Sequence, residues 1–210
     1  MLSHELRGPT AVIQGYARLL GSGDVEPATA ARVLTQVQAA ASRIAAIGAQ
    51  TSELARWLDP RAERVVGVIE LRPMLERAVA DCGAAAEVTE WSAPDAMSVR
   101  CLDPAALGSA VTAVLVSVSR EIAPEAVQVA IGPCHDSHCD VTIGPAAHLH
   151  RRATWSESSG ATPASLKQGG VGMSLVLAAA VLAAHDVHIW SPNDRPSLVS
   201  LRMPTVEAVA

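Results

Sequence analysis

The side chain best suited to chemistry near the start of the chain is His4, which Glu5 follows directly and Arg7 follows after one helical turn. On a helix of 3.6 residues per turn, His4 lies about 200° from Leu2 and points away from an apolar face that contains Leu2. The Glu5 carboxylate can accept the imidazole proton and leave the other ring nitrogen nucleophilic. The Arg7 guanidinium can hold a phosphoryl group. These residue types allow nucleophilic chemistry at His4, but on residue chemistry alone an exposed histidine beside a glutamate is more often a solvated surface pair.

Two helices must position this histidine, because apolar residues recur at alternating gaps of four and three residues. One stripe runs from Leu2 to Leu20 and the next from Val33 to Leu58, and Pro27 suits the first turn of the second helix. Such narrow stripes predict an antiparallel helical hairpin. A hairpin cannot enclose a core alone, so we expect two copies to form a dimeric four-helix bundle. An intramolecular lid over the hairpin is the alternative.

The pattern changes after residue 60, which predicts two domains, 1–60 and 61–210. The second domain alternates helices and strands and is predicted to be an α/β sandwich with helices on one face, so that the whole chain is α+β. A six-residue polar loop is expected between two paired strands, and a mobile loop is expected over residues 151–168, where no periodicity is present. The predicted strands are 65–69, 98–102, 127–131, 140–143, 188–190 and 198–203, and the predicted helices are 71–82, 104–119 and one that ends near 184.

Composition excludes several classes of protein. The chain has 210 residues, of which 50% are hydrophobic and only 2% aromatic, so Ala, Val, Leu and Ile must form its core. Sixteen basic against 21 acidic residues give a net charge of −5, which argues against a sequence-independent nucleic-acid binder. No signal peptide is recognisable, and the longest uncharged stretch is broken by glycines, so we expect a cytoplasmic protein without a membrane span in this segment. In that compartment the four cysteines are expected to be thiols.

The N-terminal residues closely resemble the phosphoacceptor box of sensor histidine kinases. In that family the box opens the first helix of a dimeric hairpin, and its histidine takes a phosphoryl group from ATP. The resemblance implies that His4 is the nucleophile, Glu5 its base and orienter, and Arg7 an electrostatic clamp. Where this chain has Gly8, the family usually has the Thr or Asn that positions water in its phosphatase members. The matching residues are Ser3, His4, Glu5, Leu6, Arg7, Pro9, Ala11, Val12, Ile13, Gly15, Tyr16, Leu19 and Leu20.

The second half is similar in outline to the ATP-binding domain of the same family. The family's two magnesium-binding asparagines align with Ala113 and Ser117, and its adenine-reading Asp-x-Gly-x-Gly motif aligns with a segment that begins at Gly144 and has no carboxylate. Alanine offers no ligand atom to magnesium, and a neutral serine hydroxyl is a weak ligand. The resemblance therefore implies a degenerate ATPase-like domain that does not hydrolyse ATP.

The family's last glycine box is kept in part. Gly170 and Gly172 stand before a helix, and His185 and Ser191 continue the family's pattern. The two glycines are the residues that the resemblance assigns to a weak, degenerate cofactor site. Two glycines before a helix are also common where a helix simply packs closely against its neighbours.

A cluster of potential zinc ligands lies at Cys134, His135, His138 and Cys139. Residues this close in one hairpin cannot all turn towards one ion, and a second ligand pair usually comes from a distant segment, such as His148 and His150. We therefore expect a polar hairpin and no metal site. A zinc site or a redox pair of Cys134 with Cys139 are the alternatives.

Together these features predict a phosphotransfer protein that carries phosphoryl on His4 and exchanges it with a response-regulator aspartate, without ATP or another cofactor. The expected partners are a second copy of the chain, a receiver domain and an upstream hybrid kinase. One alternative is a sensor kinase fragment that uses ATP and magnesium. Another is a dimeric scaffold that binds a response regulator and never carries phosphate.

Overall fold

A computed structural model describes the chain except residues 1, 24, 60, 63, 84–85, 95, 136, 150–161, 164–172, 192–196 and 207–210. It divides into two compact units, Met1–Arg56 and Trp57–Ala210, whereas the sequence prediction put the boundary at residue 60. The predicted loop over 151–168, apart from residues 162–163, and the glycines Gly170 and Gly172 lie outside the described residues.

The first unit is a helical hairpin of α1 (Leu2–Gly21) and α2 (Pro27–Leu58), as the two apolar stripes predict. Val33, Ala40 and Ile47 of α2 are buried at intervals of seven residues, which keeps one face of the helix against its neighbour. Pro9 is the buried residue of α1. Its buried ring packs where α1 meets α2. Proline has no N–H to donate within the helix.

Several apolar side chains of the hairpin remain exposed beside this seam. Ile47 is only 4% exposed, so a single hairpin already covers the centre of its own seam. By contrast, Val12, Leu19 and Leu34 are 40%, 43% and 57% exposed. The apolar surface that an isolated hairpin leaves open is therefore formed by these flanking residues.

The described part of the second unit contains a mixed sheet of eight strands: β1 (Gly67–Glu70), β2 (Ala86–Trp91), β3 (Ser98–Cys101), β4 (Val127–His135), β5 (His138–Gly144), β6 (Thr162–Pro163), β7 (His188–Ser191) and β8 (Val199–Val206). Six strands lie in the order β1-β3-β8-β5-β4-β2, β7 pairs with β8, and β6 pairs with β7. The β2–β4 pair is parallel and all other pairs are antiparallel. Strand β2, a short segment of alternating polar and apolar residues, is absent from the sequence prediction.

Three helices cover one face of this sheet: α3 (Leu71–Asp81), α4 (Pro104–Ile122) and α6 (Met173–Ala184). Helix α4 contacts both α3 and α6 and so lies between them. The core is aliphatic, as the composition predicts, and its fully buried side chains include Leu71, Leu75, Val111, Leu115, Leu182 and Leu201.

A fourth helix, α5 (Ala146–Leu149), lies on the opposite face of the sheet and corrects the expectation of helices on one face only. Its Leu149 is buried with Ala130 and Leu198 in a small cluster separate from the main core. Ala130 belongs to that second face because its strand neighbours Val129 and Ile131 lie in the main core and side chains alternate along a strand.

The polar loop predicted between residues 131 and 140 is wrong. Strands β4 and β5 continue to pair through Cys134 opposite Cys139 and His135 opposite His138, with an irregularity after Ile131. A polar sequence can remain in a strand here because only one face of an antiparallel pair must be apolar.

Helix α4 is also long and apolar enough to cross a membrane by length and composition. Eight of its residues are buried in this unit, among them Leu107, Val111 and Leu115. A core helix passes the same test of composition, so this is weak evidence for a membrane span.

Candidate functional site

His4 lies in the first turn of α1, and its side chain is exposed. Nearby Leu6 is half-buried and Pro9 is buried, so the apolar face of α1 is directed towards α2 and the imidazole lies outside the seam. The imidazole is therefore accessible from solvent.

His4 and Glu5 line one cleft between the two helices, with a volume of about 470 Å³. Gly8 forms part of its wall, and a Cβ atom there would meet no other atom within 4 Å, so the cleft is open at this point. The remaining lining residues are Pro9 and Val12 of α1 and Gln36, Ala39, Ala40 and Arg43 of α2.

Of the three residues predicted for the acceptor site, His4 and Glu5 line this cleft and Arg7 does not. Glu5 is half-buried beside His4, but no hydrogen bond joins them in the described structure, because adjacent helical residues point about 100° apart. Arg7 is exposed and does not line the cleft. Its part in a site with His4 stays a prediction.

Arg43 is a cleft residue that the sequence analysis missed. Its guanidinium forms no hydrogen bond or ion pair within the described part of the chain. No local motif marks it, because it comes to line the same cleft as His4 and Glu5 only through the pairing of two helices. The register of the two apolar stripes, read with the antiparallel direction, is the signal that could have found it.

In the second unit, α4 carries Ala113 and Ser117, the two residues that the resemblance described above aligns with magnesium ligands. Ala113 is half-buried and packs against the main core. Ser117 is 2% exposed, and its Oγ has no hydrogen-bond partner among the described residues. A buried hydroxyl without a partner is destabilising and is not presented to solvent for a hydrated ion.

The end of β5 is equally unsuited to an adenine. None of residues 141–147 carries a carboxylate. A Cβ atom built on Gly144 would clash with the Leu198 side chain and would lie 3.4 Å from the Ser197 carbonyl oxygen. The residues at these positions, together with Ala113 and Ser117, therefore do not fit a magnesium–nucleotide complex.

His185 is the buried histidine at the end of α6 and is 3% exposed. The Asp103 backbone N–H donates to its Nε2 at 3.2 Å, so Nδ1 carries the proton and donates to the Val181 carbonyl at 2.7 Å. Its ring also lies 5.3 Å from that of Trp57. Both ring nitrogens are thus occupied, and His185 joins helix ends instead of offering a reactive nitrogen.

Of the four potential zinc ligands in the β4–β5 hairpin, the structure describes the side chains of His138 and Cys139. Cys139 is buried, and its Sγ donates weakly to the Gly132 carbonyl at 3.8 Å, whereas the adjacent His138 points to the other face of the strand. The described residues include no group of three side chains that could hold a metal. The side chains of Cys134 and His135 lie outside the described part.

Cys82, Cys101 and Cys139 are free thiols. Burial, and secondarily the Asp103 carboxylate, raises the pKa of the Cys101 thiol. Cys101 is therefore protonated at neutral pH and is a poor nucleophile or metal ligand.

The hairpin and the sheet unit can now be compared with known proteins. No protein-family model matches the chain. The probable sensor histidine kinase TcrY of Mycobacterium tuberculosis is 28% identical over 191 residues, which are 88% of this chain and 40% of TcrY. The Acinetobacter baumannii histidine kinase AdeS has the same fold, with a TM-score of 0.62 and 15% identity over 96% of this chain and 97% of the AdeS chain. The chain is a relative of the sensor histidine kinases.

Full-length ShkA, solved in complex with AMPPNP, is a second structural neighbour of this histidine-kinase relative. Its TM-score is 0.51 at 14% identity, and the match covers 100% of this chain and 46% of ShkA. At such identities the likeness describes the fold. The chain spans about 40% of the length of TcrY.

The contact between Gly144 and Leu198 generates a stability prediction. Gly144→Ala should destabilise the second unit by about 1–3 kcal/mol, because the added methyl group overpacks a filled site. In the Leu198→Ala background the same change should cost less. Chemical denaturation of the four proteins of this double-mutant cycle measures the coupling. Equal losses of unfolding free energy in both backgrounds would show that the Leu198 side chain does not fill the space beside position 144.

Proposed function

We propose that this chain is a histidine-kinase-like phosphotransfer protein, which carries a phosphoryl group on His4 and exchanges it with a response-regulator aspartate without using ATP. The observation that carries the proposal is the exposed imidazole of His4, which shares the hairpin cleft with the Glu5 carboxylate. The similarity of this chain to a probable sensor histidine kinase supports a role in two-component signalling.

The atoms and charges of the proposed transfer balance between the two proteins. A neutral ring nitrogen of His4 attacks the phosphorus of an aspartyl phosphate, a P–N bond forms, and the P–O bond to the aspartate breaks. The aspartate leaves as a carboxylate. The second imidazole nitrogen releases its proton, for which Glu5 is the nearest base on α1, and transfer to a regulator is the reverse of these steps.

The second unit gives no support to ATP as the phosphoryl donor. Ser117 and Ala113 occupy the positions of the family's magnesium ligands with a buried hydroxyl and a methyl group. Gly144 cannot accept a carboxylate while Leu198 packs against it. We therefore propose that phosphate reaches His4 from another phosphoprotein.

We also propose that the chain is a homodimer through the hairpin and that a receiver domain binds at the cleft. The exposed Val12, Leu19 and Leu34 supply apolar surface beside the seam, and their burial against a second hairpin would complete a four-helix bundle. A receiver domain presents an acidic phosphorylation site, to which a cleft with an arginine on its wall is complementary.

The first prediction concerns the phosphorylated residue. Phosphoramidate, a small phosphoryl donor, should label the protein on His4, and mass spectrometry should find an acid-labile adduct at that residue. His4→Gln should abolish the label, whereas His148→Gln, a change at an exposed histidine of the second unit, should leave it unchanged. Glu5→Ala should slow labelling by about 10²-fold, the low end for a positioned general base, and should leave helix content unchanged.

The same assay separates this function from a scaffold. Full labelling of the His4→Gln variant would contradict the assignment of His4. A wild-type protein that accepts no phosphate from phosphoramidate or from a panel of phosphorylated receiver domains would support a scaffold that binds a regulator without chemistry.

The second prediction concerns nucleotide. ATP with magnesium should bind with a dissociation constant no better than about 1 mM, equivalent to about 4 kcal/mol, because the ligands for magnesium and adenine are missing. Isothermal titration calorimetry measures this constant. Micromolar, magnesium-dependent binding would instead support an ATP-using sensor kinase fragment.

The third prediction concerns assembly. Light scattering at micromolar concentration should give the mass of a dimer, and Leu34→Glu should shift it to that of a monomer, because the change places a charge in apolar surface. Leu34 is a better position than Ile47, whose loss would also open the hairpin itself. A monomeric wild-type protein would exclude the four-helix bundle.

A further inference from the structure

We propose that Arg43 of α2 is the cation that contacts the phosphoryl group on His4, a role that no acceptor-box residue fills in this cleft. The inference rests on the proposed phosphorylation of His4. Arg43 belongs to α2, whereas the acceptor residues belong to α1. The evidence for its role is the set of residues that line the cleft.

The register of the hairpin brings Arg43 to the height of His4. Pro9 and Ala40 are both buried and both line the cleft, and we take them as the reference level of the two helices. At 1.5 Å per residue, Arg43 lies about 4.5 Å beyond Ala40 along α2, and His4 lies about 7.5 Å beyond Pro9 along α1. Because the helices are antiparallel, both displacements have the same direction. The two residues therefore differ in height by only about 3 Å.

The charges of the cleft require such a cation. A phosphoryl group brings up to about two negative charges, and the carboxylate of Glu5, which lines the same cleft, repels them. Arg43 is the one cationic side chain among the lining residues. A guanidinium can donate two parallel hydrogen bonds to phosphoryl oxygens, which lowers the energy both of the phosphorylated state and of the transition state that leads to it.

Arg43 is also available for this contact. It is exposed, and within the described part of the chain it forms no hydrogen bond or ion pair. Arg56, by comparison, already pairs with Glu53 at 3.8 Å. Arg7 lies on the helix of His4 but outside the cleft.

Labelling by phosphoramidate tests the proposal, because this donor is small and removes docking of a receiver domain from the measurement. Arg43→Gln should slow the labelling of His4 by about tenfold, mostly in the maximal rate, and should shorten the lifetime of the phosphorylated protein. Arg43→Lys should recover part of the rate, since it keeps the charge and loses the bidentate geometry. Arg32→Gln is the matched control, because Arg32 is an exposed residue of the same helix about 16 Å away.

The outcomes distinguish the two proposals. Wild-type protein that accepts no label would refute the phosphorylation of His4, on which the inference depends. Labelling of the wild type and of Arg43→Gln at equal rates would overturn the role of Arg43 alone. Equal slowing by Arg43→Gln and Arg32→Gln would indicate general electrostatic attraction of the donor, and a changed molecular mass for Arg43→Gln would assign the residue to a subunit contact. Either result would also overturn the proposal.

Discussion

The seam of the hairpin is the constraint on which the geometry of the candidate site depends. Val33, Ala40 and Ile47 are buried at seven-residue intervals, and this spacing fixes which face of α2 meets α1. Once that face is set, the rotational phase of every other residue on both helices follows from 100° per residue. His4 is thereby placed outside the seam, and Arg43 on the rim of the cleft. A shift of the seam by one residue would rotate each of these side chains by about a quarter turn and would dismantle the cleft.

Much of the hairpin could be predicted from the sequence because its signal is periodic and local. The alternating gaps between Leu2 and Leu20 and between Val33 and Leu58 specify two helices and their buried faces without any tertiary information. The cleft is different, since its composition depends on which residues of α2 stand level with His4. Arg7 was assigned to the site because it lies one turn from His4 along the sequence. Arg43, about 40 residues away, becomes its neighbour only when the helices pair.

In the second unit, local sequence signals predict most helices and strands but miss contacts between segments that are distant in sequence. Most of its elements follow from local apolar runs and caps, such as the Asp103 side chain that accepts a hydrogen bond from the Ala106 backbone at the start of α4. Strand β2 was missed because its parallel partner β4 lies far away in sequence, so no turn marks the pair. The β4–β5 hairpin was shortened in the prediction because polar composition was interpreted as a loop. The packing of the Leu198 side chain against Gly144 could not be predicted either, since the two residues lie at strand ends more than 50 residues apart.

The two units also differ in where their polar groups are directed. In the second unit the relevant positions contribute to packing: Gly144 makes room for Leu198, Ala113 packs on the core, and both nitrogens of His185 are hydrogen-bonded inside the fold. The hydrogen-bonded ring nitrogens of His185 stabilise the domain, and none of these three residues presents a free polar side-chain group to a ligand. In the hairpin cleft, the imidazole of His4 and the guanidinium of Arg43 are exposed and make no hydrogen bond in the described chain. Among these described residues, the polar groups that remain open to a ligand therefore lie in the hairpin cleft.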